Sequence, residues 1–74
     1  MQEYIINVSQ IEELQMIGDV DRLDVIFQRA KSTIVNGEKV VLVRKGKEEG
    51  EQKFDEFTTL DELQQYRKQV FKYL

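Results

Sequence analysis

The sequence predicts an α+β domain in the order β-α-α-β-β-α, with about three mainly antiparallel strands and helices packed on one face of the sheet. Three observations predict it. Between Asp19 and Val35 the apolar residues Val20, Leu23, Ile26, Phe27, Ala30 and Ile34 recur at steps of three and four, one stripe on a helix of about four turns. Val40, Val41, Leu42 and Val43 follow as a run with no polar face, as in a strand covered on both sides. Thr59 and Glu62 then make a capping-box pattern ahead of a second apolar stripe. Helices and strands with one apolar face each bury it against the other in two layers.

Element by element, Glu3 to Val8 is β-branched and aromatic, with Tyr4, Ile6 and Val8 on one side and Ile5 on the other, as a first strand requires. Ser9 with Glu12 fits a capping box, so a short helix is expected over Gln10 to Ile17, ending at Gly18. Asp19 or Asp21 caps the long helix, and Asn36-Gly37 supplies the left-handed residue that stops it. After the apolar strand, Gly46 to Glu51 turns the chain and Gln52 to Phe57 returns as a weaker strand. Phe54 and Phe57 are three apart, so they share a face only across a bulge. The closing helix carries Leu60, Leu63, Tyr66, Val70, Phe71 and Leu74 on one stripe. Asp61 and Glu62 fall in its first turn and Arg67, Lys68 and Lys72 toward its end, as the helix dipole favours.

A chain of 74 residues is a single domain and buries only about 60% of the surface its unfolded form exposes. Without cysteine there is no disulfide, thiolate nucleophile or Cys-rich zinc site, and without histidine the commonest general base and transition-metal ligand are missing. An enzyme is therefore not expected, nor a cofactor or a small-molecule substrate. The longest apolar run falls far short of the ~20 residues that span a bilayer, and no apolar segment follows basic residues near the N-terminus, so a cytoplasmic protein is expected. Net charge is −3 but blocky: −5 over residues 1–24, +5 over 25–47, −6 over 48–62 and +3 over 63–74. Such alternation gives a polar molecule that can attract a copy of itself or a charged partner.

Several patterns that resemble catalytic or ligand sites have simpler accounts. Asp19, Asp21 and Asp24 have the spacing of a calcium loop, but the sixth position is Asp24 where such a loop needs glycine, and the segment is helical, so capping explains them better. The carboxylates Glu48, Glu49, Glu51, Asp55 and Glu56 lie in a charged, hydrated hairpin, where nothing raises a pKa for acid catalysis. Gly46 and Gly50 lack the Lys-Ser/Thr of a phosphate loop and join two strands, whereas that loop leads into a helix. Phe27, Phe54, Phe57, Tyr66, Phe71 and Tyr73 mostly take core positions; Tyr4 and Tyr73, near the termini, suit an interface. The second face of the apolar strand, through Val41 and Val43, is covered either within the fold or by another subunit, and Arg44, Lys45 and Lys47 cluster at the hairpin tip.

The segments "NVSQIEEL", "NGEKVVLVRKGK" and "FTTLDELQQYRK" together resemble the N-terminal domain of Phd/YefM-type antitoxins, most specifically through Gly37, Glu38, Val40, Val41, Arg44, Gly46 and Lys47. That resemblance implies a dimer that binds operator DNA and neutralises a toxin. Read on their own, the residues point instead to a small non-catalytic interaction or assembly module that self-associates. Glu12 and Glu13 in the first helix repel phosphates, and Lys39, Arg44, Lys45 and Lys47 are matched by Glu38, Glu48, Glu49 and Glu51, so nucleic acid is not the expected partner. The expected interaction surface is Tyr4, Val41, Val43, Arg44, Lys45, Lys47 and Tyr73. A nucleic-acid-binding regulator built on the basic tip is the alternative.

Overall fold

A computed structural model describes residues 3–46, 50–72 and 74, the side chains of Lys45 and Glu51 excepted. It contains β1 (Glu3–Asn7), α1 (Val8–Ile17), α2 (Val20–Val35), β2 (Lys39–Gly46), β3 (Gly50–Phe57) and α3 (Leu60–Phe71), the order that the sequence predicts. The strands lie side by side as β1-β2-β3, so the apolar strand β2 is central. The sheet is mixed. β2 and β3 pair antiparallel, as expected for neighbours joined by a short reversal, but β1 and β2 are parallel, with Ile5 opposite Val41 and Asn7 opposite Val43. The two helices between β1 and β2 carry the chain back to the same end of the sheet, which is how a parallel pair must be connected.

All three helices lie on one face. The core joins Ile6, Val40, Leu42 and Phe57 of the sheet to Ile11 and Leu14 of α1, Leu23, Phe27 and Ala30 of α2, and Leu63 and Val70 of α3. Period 2 puts Val40 and Leu42 on the helix side of β2 and turns Val41 and Val43 to the opposite side. Phe27 stands at the centre of an aromatic group, its ring centroid 5.8 Å from that of Tyr66 and 5.9 Å from that of Phe71. α2 and α3 are tied further by Arg67, which donates to Asp24 at 3.1 Å and stacks over Phe71 at 4.5 Å.

The caps explain where the elements begin and end. Thr59 and Glu62 make the expected capping box: the Glu62 amide donates to Thr59 Oγ1 at 3.3 Å and the Thr59 amide donates to Glu62 Oε1 at 3.2 Å. Asp19 caps α2, accepting from the Arg22 amide at 3.1 Å. The cap of α1, however, is Asn7 and not Ser9: Asn7 Oδ1 accepts from the Ser9 amide at 2.9 Å. The helix thus starts at Val8, two residues before the expected start, and Val8 enters the core as a helical residue and not as the end of β1. Asparagine caps a helix as well as serine does, so the competition falls to whichever residue leaves Val8, Ile11 and Leu14 on one buried stripe. Gly18, at φ 67°, ends α1 in the left-handed conformation that an L side chain adopts only with strain.

β3 contains the bulge that the Phe54–Phe57 spacing called for. Asp55 lies opposite Leu42 while Lys53 lies opposite Val43, which leaves Phe54 as the extra residue. The bulge does not bring both rings into the core. Phe57 is buried, whereas Phe54 is 62% exposed and lies outside the core.

Candidate functional site

The face of the sheet away from the helices is built from alternate residues of three strands. In β1 these are Glu3, Ile5 and Asn7; in β2, Lys39, Val41 and Val43; in β3, Glu56 opposite Val41 and Lys53 opposite Val43. Its centre is apolar and its rim is ionic. Lys39 Nζ lies 3.3 Å from Glu3 and 3.4 Å from Glu56, and Lys53 Nζ lies 2.9 Å from Glu56, so one carboxylate bridges two ammonium groups across β2 and β3. The bonds to Glu3 and then Glu56 raise the Lys39 pKa, and Lys53 first, with Lys39, lowers that of Glu56. Two acids and two bases close the rim at zero net charge.

Val41 and Val43 are buried within the single chain, each at 6% exposure. Of the two coverings that the sequence allows for this side of β2, these two valines take theirs from their own chain. A valine on the central strand is short, and longer side chains on either side overhang it: Ile5 and Glu56 beside Val41, Asn7 and Lys53 beside Val43. What remains open on this face is the large apolar side chain of Ile5 on β1, at 51% exposure.

The residues expected to form one interaction surface are divided between the two faces. Among the described side chains of this set, only Val41 and Val43 lie on the open side. Tyr4 pairs with Val40, so its ring turns to the helices and packs against the core, where burial raises the phenol pKa and the neighbouring Arg29 partly offsets it. Arg44 is also on the helix side, where its guanidinium meets Glu12 of α1 at 3.0 Å. The cation at the base of the hairpin is thus already matched by the acidic helix. Lys45 is placed by its backbone opposite Glu51, but its side chain, together with Lys47 and Tyr73, lies outside the described residues. The three aspartates behave as structural groups: Asp19 caps α2, Asp21 stands in its first turn and Asp24 holds Arg67. Sequence reasoning placed Ile5 opposite Tyr4 but did not follow it to the face it shares with Val41; alternation along β1 is the signal that finds it.

Two further concave regions lie on the helix side. One, of ≈ 390 Å³, runs between α2 and α3 over Phe27 and Leu63, which are themselves buried; the other is bounded by Tyr4 and the outer side of α2. Among the described residues no three His, Cys, Asp or Glu side chains are grouped to hold a metal ion, and no helix is long and apolar enough to cross a membrane. Comparison of the chain with protein-family models, with curated proteins and with solved structures gives no match.

Proposed function

We propose that the protein is a small, non-catalytic interaction module that self-associates through the open face of its sheet. One observation carries this reading: an apolar centre of Ile5, Val41 and Val43, with Ile5 open to solvent, framed by a rim in which Glu3 and Glu56 balance Lys39 and Lys53. A two-fold contact sets each rim against its own copy, and a rim of both signs is complementary to itself where a rim of one sign repels. The apolar centre supplies the attraction, since area removed from water stabilises at ~25 cal/mol per Å².

The size of the face fixes the strength. Three strands about 4.8 Å apart, over five paired residues at about 3.3 Å each, give a planar footprint of roughly 240 Å². That is well short of the ~800 Å² per partner of a standard interface, so the dimer is a weak one. Sedimentation equilibrium between ~10 μM and ~1 mM tests it, on the wild type and on Ile5→Glu and Ile5→Lys variants, whose altered side chain is exposed in the single chain. Dimerisation in the wild type and its loss in both variants is the expected result. A monomer over the whole range, or a dimer indifferent to both substitutions, sinks the proposal.

A further inference from the structure

The two edges of the sheet differ. β3 carries a bulge at Phe54 and the alternating charges Lys53 and Asp55, both of which discourage pairing with another chain. β1 has no bulge, proline or lysine, and it pairs with β2 alone among the described strands. Alternate β1 residues therefore direct their N–H and C=O groups outward along a straight edge.

Beside that edge runs a groove. α2 turns Val25, Gln28, Arg29, Ser32 and Thr33 toward it, one stripe at helical spacing, and Tyr4 of β1 forms the other wall. Val25 is 53% exposed, an apolar spot within a polar helix face. Arg29 makes no ion pair among the described residues and lies beside the Tyr4 phenol, while Arg22, Arg44 and Arg67 each hold a carboxylate. An edge with unspent hydrogen bonds, a flanking helix and one unmatched cation are thus brought together.

We infer that this groove receives an extended segment of a partner protein as an additional strand, paired to β1 and lying against α2. Backbone pairing supplies binding that depends little on sequence, and the side chains along the groove supply selectivity. The segment carries a carboxylate that meets Arg29 and, two residues away on the same face of the strand, an apolar side chain that meets Val25 and the Tyr4 ring. A second copy of β1 does not meet this description, because the residues it would present on the helix side are Tyr4 and Ile6, neither of them acidic. The site is separate from the sheet face proposed for self-association and does not depend on it.

The test is a titration of the 15N-labelled protein with an eight-residue probe peptide of alternating valine and threonine, in which one interior valine is replaced by glutamate, so that the residues two away on the same face are valines. Amide shifts confined to β1 and to the Val25–Thr33 side of α2 are expected, with a Kd below about 1 mM. Arg29→Glu should weaken binding about tenfold and a lysine-for-glutamate probe should restore it, while N-methylation of alternate probe amides should abolish it on every variant. Arg29 is exposed, so its replacement leaves the fold intact. The proposal is overturned by the absence of shifts at ~1 mM peptide, by shifts mapping outside this groove, by equal affinity of the N-methylated probe, or by indifference to Arg29→Glu.

Discussion

Truncating Phe27 to alanine removes the side chain on which the two longest helices meet. Phe27 is 4% exposed and has Tyr66 and Phe71 rings at 5.8 and 5.9 Å, so its loss opens space in the middle of an aromatic group. Buried Phe→Ala changes cost ~3 to 5 kcal/mol through lost transfer energy and the residual cavity, and each aromatic pair adds about 0.5 to 1.5 kcal/mol to that loss. Against this, a chain of 74 residues at ~0.05 to 0.15 kcal/mol per residue has a total stability of about 4 to 11 kcal/mol. Phe27→Ala is therefore expected to remove between a third and nearly all of it. With a urea m-value of about 1 kcal/mol/M, the unfolding midpoint moves down by ~3 M or more, or the variant is unfolded in buffer. Phe54→Ala is the matched control, since Phe54 is 62% exposed and its loss should stay within about 0.5 kcal/mol. A Phe27→Ala midpoint within about 1 M of wild type, or a Phe54→Ala change as large as that of Phe27→Ala, would refute the assignment of the buried face.

Two other outcomes follow from the charges. The Glu62 pKa is lowered, chiefly by the Thr58 amide and then by the Thr59 hydroxyl, so its ionised form stabilises the fold above the ordinary glutamate value, and that contribution is lost as pH falls through the depressed one. Glu62→Gln should flatten the dependence of melting temperature on pH below about pH 4.3, and an unchanged profile would show that the capping box contributes nothing. For nucleic acid, Arg44 is engaged by Glu12 and Lys39 by Glu3 and Glu56, so binding of duplex or single-stranded oligonucleotides at physiological salt should be weaker than ~100 μM by fluorescence anisotropy. Micromolar binding that falls steeply with salt and vanishes when Arg44, Lys45 and Lys47 are changed to glutamate would favour an antitoxin-like regulator instead.

The parts of the fold that were legible are those set by one local pattern. The stripe Leu23, Phe27, Ala30 and Ile34 named the buried face of α2, the Thr59–Glu62 box named the start of α3, and four consecutive apolar residues named the central strand. Each of these signals is complete within a few residues. The misplaced features needed something farther away. Asn7 and Ser9 are both competent caps, and only the packing of Val8 against the sheet decides between them. Phe54 carries the apolarity of a core residue, and only the register with β2 shows that it stands outside the core. The candidate surface was grouped by sequence position and by residue type, whereas alternation along the strands sends Tyr4 and Arg44 to one face and Val41 and Val43 to the other.

The mixed pairing of the sheet has a consequence for the route by which it forms. β2 meets β3 across a reversal whose innermost paired residues are Gly46 and Gly50, while β1 meets β2 with Glu3 opposite Lys39, a separation of 36 residues against 4. Ring closure over a chain nine times longer costs about 2 kcal/mol more in entropy, before a single contact between the strands is made. Contact separation alone thus makes the hairpin the expected early, local half of the sheet and β1 the expected late half. The same asymmetry runs in reverse on unfolding. When β1 departs first, the edge it uncovers belongs to Val40, Val41, Leu42 and Val43, three β-branched residues and a leucine with no charge among them and an invitation to cross-β stacking. The five residues of β1 therefore shield that apolar edge from pairing with another chain.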